Sequence, residues 1–166
     1  MKLKLTDSGA TETLGSALAA AFPGAAAGAV IVYVHGELGA GKTTCVRSLL
    51  HALGVHGPVR SPTYTLVETY VLAELTCVHV DLYRLRSAAE LVDLGLSDYL
   101  AAGHLLLIEW PLNAGATGLH PDLDITLIYA GSGREATLRA GSGLGHAWLG
   151  NLVQDNRLIP YLSNLT

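Results

Sequence analysis

The octapeptide Gly36-Glu37-Leu38-Gly39-Ala40-Gly41-Lys42-Thr43 fits GxxxxGK[ST], a loop whose successive backbone N–H groups curl around nucleotide phosphates. Gly36 and Gly41 permit backbone conformations and close approaches that a Cβ would block. Lys42 is expected to reach the β- and γ-phosphates as a point charge, and the Thr43 hydroxyl to join a Mg²⁺ shell. Such a match has meaning only when a strand precedes it and a helix follows. Ala29 to Val34 is an apolar, β-branched run suited to a strand covered on both faces. From Thr43 to Leu53, residues Val46, Leu49, Leu50 and Leu53 recur at helical spacing before Gly54 stops the run. The context fits.

The rest of the chain narrows the class. At 166 residues, half of them hydrophobic and 14% charged, it has enough apolar material for one packed domain and too little charge for a disordered chain. The net charge is −4 and Lys and Arg form no run, so no basic face for gripping nucleic acid directly is indicated. No stretch approaches a membrane span, and acidic and polar residues follow Met1 too early for a signal peptide. Two cysteines, Cys45 and Cys77, make neither a disulfide framework nor a zinc cluster, and a reduced cytoplasmic location is expected. The seven histidines are scattered without a ligand pair, so a structural zinc site is not expected.

Along the chain, a helix is predicted over Thr11 to Phe22, ended by Pro23-Gly24. After the phosphate loop and its helix, Val55 to Pro62 reads as a loop. Thr63 to Tyr70 and Leu75 to Leu82 read as strands that could pair as a hairpin. Ser87-Ala88-Ala89-Glu90 opens a helix with a capping box, and Leu105 to Trp110 is a buried strand stopped by Pro111. Asp124 to Tyr129 and Glu135 to Arg139 alternate as strands around the turn Gly131-Ser132-Gly133. From Leu144 onward a helical start gives way to irregular chain. The expected architecture is α/β, a mixed sheet of the P-loop NTPase kind with flanking helices. Residues 1–150 form one domain, and 151–166 a tail of no assigned role.

Hydrolysis also needs a carboxylate for Mg²⁺ and a group to position water. Two acidic residues close apolar strands, Asp81 after Thr76 to Val80 and Glu109 after Leu105 to Ile108. Parallel strands of such a sheet would bring both to the phosphate loop; a helix-capping or solvent-facing role is the alternative. Arg84 is open to two readings, countering phosphate charge or pairing with Asp81 or Glu90. Ser61-Pro62-Thr63-Tyr64-Thr65 could sense a γ-phosphate through Thr63 or Thr65, but from the residues alone an ordinary turn is preferred.

Five segments together resemble the TsaE (YjeE) family, the bacterial ATPase of tRNA threonylcarbamoyladenosine biosynthesis. They are Gly36 to Thr44, Ser61 to Glu68, His79 to Leu85, Glu90-Leu91 with Gly95 and Asp98-Tyr99, and Ile108 to Pro111. SPTYTLVE with HxDLYR and EWP is the specific part, and the likeness covers about residues 8 to 140. The resemblance implies ATP and Mg²⁺ as cofactors, with Thr43 and Glu109 as metal ligands and Asp81 tied to hydrolysis alongside Lys42. It implies nucleotide contacts along Gly36, Glu37, Leu38, Gly39, Ala40, Gly41, Lys42, Thr43 and Thr44, and a switch role for Thr63 and Thr65. Trp110 would lie near the nucleotide, as would Thr11 and Arg134, and Arg84 is retained as a candidate contact. Adenine rather than guanine is implied, and no NKxD motif for guanine appears. The implied partners are TsaD and TsaB, with tRNA met only through that complex. A scaffold organised by ATP binding rather than hydrolysis is the competing expectation, and a small-molecule kinase a weaker third. The stretch after Leu149 is longer than the family leads one to expect.

Overall fold

A computed structural model describes residues 1–113 and 118–163. The strand before the phosphate loop is β2, Val30–Gly36, counting a short first strand, β1, Lys2–Leu5, as the chain's start. β2 buries both faces. Val30, Val32 and Val34 point to one hydrophobic cluster, Ile31 and Tyr33 to another. Its neighbours β5, His104–Glu109, and β6, Leu123–Ala130, both run parallel to it. β4, Thr76–Asp81, runs parallel to β5, while β3, Val67–Val71, pairs antiparallel with β4 at one edge. β7, Gly133–Ala140, is antiparallel to β6, and β1 closes the other edge antiparallel to β7. The order is β1-β7-β6-β2-β5-β4-β3, a seven-stranded mixed sheet.

Helices α1, Ser8–Ala21, α2, Lys42–Ala52, and α4, Gly143–Leu152, belong to the larger cluster on one face. Leu96 and Leu85, with the partly buried Leu91 of α3, Ala88–Asp93, cover the other. The α1–α2 contact is set by Gly15: a Cβ there would overlap the Cys45 carbonyl oxygen and come within 2.8 Å of the Ser48 Cβ. Gly15→Ala is therefore expected to lower stability by roughly 1–3 kcal/mol, even though alanine favours a helix by about 1 kcal/mol over glycine. A urea midpoint as high as the parent's would overturn that expectation. Cys45 and Cys77 are buried in the same cluster, and burial pushes both thiols up to about 12.

Several element bounds differ from the sequence expectation, each for a local reason. α1 begins earlier because Asp7 caps it, accepting from the Ala10 N–H at 2.8 Å. The strand expected from Thr63 forms only from Val67, because Leu66 takes a left-handed φ of 64° and donates its N–H back to Pro62. Ser87 caps α3 as expected, but the helix stops before Gly95 and resumes as a 3₁₀ turn over Leu96–Tyr99. Lys2–Leu5, too short and too charged to be read as a strand, pairs along β7. Beyond Leu152 a 3₁₀ segment, Asn156–Tyr161, packs back against α1 and β1; residues 164–166 of the expected tail lie outside the described residues. Among the described residues no helix is long and apolar enough to cross a membrane.

Candidate nucleotide and metal site

Parallel pairing of β2, β5 and β4 brings three strand ends to one edge of the sheet. Asp81 and Glu109 stand directly opposite each other in register, and Val34, two residues before Gly36, pairs with Glu109. The loop Gly36–Gly41 then turns into α2. Gly36 has φ 144° and its backbone passes so close to the Leu127 carbonyl that a Cβ would overlap it; Gly41 starts the helix at φ 104°. These positions require glycine. The start of α2, where backbone N–H groups have no partner within the helix, lines a cleft of about 270 Å³ together with Gly39, Gly41, Ser61, Thr63, Asp81, Glu109 and Trp110.

Lys42 is 4% exposed. Its ammonium donates to the carbonyls of Gly36 at 2.8 Å and Glu37 at 2.9 Å and sits 3.8 Å above the Trp110 ring. Burial lowers its pKa, opposed by the nearby Glu109 and Asp81 carboxyl groups. Trp110 holds its indole there from a left-handed backbone, φ 57°, and packs on Tyr83 with ring centroids 5.0 Å apart.

Glu109 is 2% exposed and accepts the Thr43 hydroxyl on both oxygens, at 2.9 and 3.1 Å. A buried carboxyl group beside a hydroxyl at a helix start offers hard oxygen donors, the set that Mg²⁺ prefers. Asp81 is bound differently. Its Oδ1 accepts the Tyr83 N–H at 2.9 Å, while Oδ2 accepts the hydroxyls of Ser61 and, at 3.0 Å, Thr63. Two acidic side chains thus face one buried ammonium, a bias of formal charge that suits a divalent cation.

The family model for the threonylcarbamoyl adenosine biosynthesis protein TsaE matches residues 5–136. The chain belongs to the TsaE family. A TsaE from Haemophilus influenzae is 43% identical over 119 residues, which cover 70% of this chain and 74% of that protein. The TsaE of Bacillus subtilis is 40% identical over 80 residues, and there the match spans about half of each chain, 48% and 49%. The crystal structure of Bacillus subtilis YdiB superposes with a TM-score of 0.75 at 26% identity, over 92% of this chain and 93% of that one. A P-loop NTPase-like α/β fold is common to them.

Within this TsaE-family chain the remaining expected residues divide into those at the cleft and those away from it. Thr44 lines it, whereas Leu38 also projects into solvent, 70% exposed. Thr11 is buried under the loop, its methyl carbon 3.4 Å from where a Gly41 Cβ would sit. Arg134 donates to the carbonyls of Ala40 at 3.1 Å and Gly39 at 3.5 Å, and Tyr129 donates to that of Leu38 at 3.0 Å. Both brace the loop from its outer side. The fold does not bring Thr65 or Arg84 to the cleft: Thr65 donates to Glu68 at 3.0 Å on an exposed surface, and Arg84 lies over the Tyr64 ring at 4.2 Å. Three contributors were not legible as site residues. His79, fully buried, bonds to Glu109; Ser61 bonds to Asp81; Tyr83 supplies a backbone donor and a ring. Two signals mark His79 in the sequence, its alternation with Asp81 on an apolar strand and its place at the head of the HxDLYR segment.

Proposed function

We propose that this chain is a Mg²⁺-dependent ATPase that supports tRNA threonylcarbamoyladenosine modification as a partner of a TsaD–TsaB complex, meeting tRNA only through it. The observation that carries this reading is the register pair Asp81–Glu109 set against Lys42 and Thr43 at the mouth of the phosphate loop. Loop amides and Lys42 bind the phosphates, Thr43 and Glu109 hold Mg²⁺, and Asp81 orients the attacking water. Bound there, the metal would offset the charge that develops on the transferred phosphoryl group. Membership of a threonylcarbamoyl adenosine biosynthesis family supports the pathway. The partners follow from the family resemblance, and the cytoplasmic setting from two cysteines that form no disulfide framework.

Nucleotide binding and phosphate release, measured with and without purified TsaB and TsaD, test the proposal. Binding of Mg²⁺–ATP and a stimulated turnover are expected; a folded chain that takes up no Mg²⁺–ATP overturns it. Lys42→Ala removes a charge-assisted contact worth about 1.5–3 kcal/mol, so ATP affinity should fall roughly 10–150-fold. Calorimetry showing parent-like affinity would refute the role given to Lys42.

One observation favours a second reading, a scaffold gated by ATP occupancy. Ser61 and Thr63 donate to Asp81 from a loop that also lines the cleft, so a γ-phosphate there would compete with Asp81 for their hydroxyls and order the loop around itself. If a non-hydrolysable ATP analogue sustains repeated tRNA modification as well as ATP does, the scaffold reading holds.

A further inference from the structure

We propose that His79 is a positioning residue that fixes the orientation of Glu109 for metal binding, an inference that rests on the metal role given to Glu109 above. His79 lies on β4 two residues before Asp81, so both side chains leave the same face of the sheet, the one α2 covers. Its register partner on β5 is Leu107, two residues before Glu109 on that strand. The imidazole therefore reaches Glu109 diagonally, Nε2 standing 2.9 Å from Oε1. A carboxylate can only accept, so Nε2 carries the proton and donates it.

Two further facts separate this contact from ordinary core packing. His79 is 0% exposed on a strand whose other buried positions are Cys77, Val78, Val80 and Asp81, of which Cys77 and Asp81 share its face. Its Nδ1 is buried and has no hydrogen-bond partner among the described residues. An orphaned buried polar atom costs about 1–3 kcal/mol, and an aliphatic side chain would avoid it. Among the described residues its one side-chain polar contact is the bond to Glu109. Glu109 is then held from two sides, by the Thr43 hydroxyl at the start of α2 and by His79 from the adjacent strand. With both donors in place, the carboxyl group cannot swing away from Thr43 without losing a buried hydrogen bond. Partners that orient metal-binding carboxylates in this way set affinity for the metal rather than for the rest of the ligand.

The test compares His79→Leu, which fills space without a donor, with His79→Gln, whose amide nitrogen can stand near the Nε2 position. Calorimetry with ADP, in EDTA and across a Mg²⁺ series, separates metal from nucleotide binding. His79→Leu should leave EDTA affinity unchanged and raise the Mg²⁺ midpoint about 10–100-fold, with His79→Gln recovering most of the loss. In the parent chain without metal, nitrogen-15 spectra should show one histidine as the Nε2–H tautomer, and Glu109→Gln should shift that signal. A Mg²⁺ midpoint unmoved in folded His79→Leu overturns the inference. Should that variant not fold, an unmoved midpoint in His79→Asn, whose shorter amide falls short of Glu109, overturns it equally. A parent chain whose ADP affinity ignores Mg²⁺ overturns the metal role of Glu109 itself, a different failure.

Discussion

Asp81→Ala should still bind Mg²⁺–ATP but release phosphate at least about 10²-fold more slowly in the presence of TsaB and TsaD, the usual scale for losing a positioned proton acceptor. Asp81 makes no hydrogen bond to Lys42, which is satisfied by the Gly36 and Glu37 carbonyls, so the phosphate-binding parts survive the truncation. What is lost is a 3%-exposed carboxyl group at the cleft wall. The truncation also takes the acceptor from the half-buried Tyr83 N–H and from the Ser61 and Thr63 hydroxyls, which keep only their bond to each other at 2.8 Å. Asp81→Asn can keep its oxygen as acceptor for the Tyr83 N–H and turn its amide N–H groups to the Ser61 and Thr63 hydroxyl oxygens, so it removes the charge at a smaller cost in stability than alanine. Calorimetry for binding and a phosphate-release assay for turnover decide the matter. Parent-like turnover in either variant would remove Asp81 from the mechanism.

Trp148→Ala should cost about 3–5 kcal/mol, the range for removing a buried tryptophan, and lower Tm by roughly 6–20 °C in a chain of this size. Trp148 is 0% exposed on α4, packs on Phe22 with ring centroids 5.0 Å apart, and donates its indole N–H to the Leu18 carbonyl at 2.9 Å. Truncation opens a cavity between α4 and α1 and leaves that carbonyl without its donor. The effect is large because Trp148 lies inside the main cluster, although it stands outside residues 5–136, the stretch that the family model matches. Thermal unfolding and urea titration measure it. A loss under about 1 kcal/mol would mean that α4 is peripheral, against the cavity rule. ATP affinity should not change, since Trp148 does not line the cleft.

The phosphate loop, both acidic strand ends and the pairing of β3 with β4 were legible because each is written locally. Gly36 to Thr43 is a contiguous motif, Asp81 and Glu109 each close an apolar run, and parallel strands must share an end. What was illegible depends on geometry between segments. Thr63 and Thr65 stand two residues apart in one motif, yet the turn at Leu66 leaves one on Asp81 and the other on Glu68. Arg84 had two candidate partners in the sequence and stacks on Tyr64 instead, a contact between residues 20 positions apart. The spacing of the histidines speaks only to a zinc set, whereas the partner of His79 is a carboxyl group on the neighbouring strand. β1 escaped because two lysines in four residues hide an edge strand whose leucines alone face the core.

The two buried thiols make the folded chain chemically quiet. Thiolate, the species that alkylating dyes attack, is scarce at neutral pH when the thiol titrates near 12. A maleimide can therefore mark Cys45 or Cys77 only while the chain is locally or globally open. One reporter lies on α2 just past the phosphate loop and the other on β4 ahead of Asp81. Labelling rates at the two, followed by mass spectrometry as ATP is added, would time the opening of helix and sheet separately without altering a single residue.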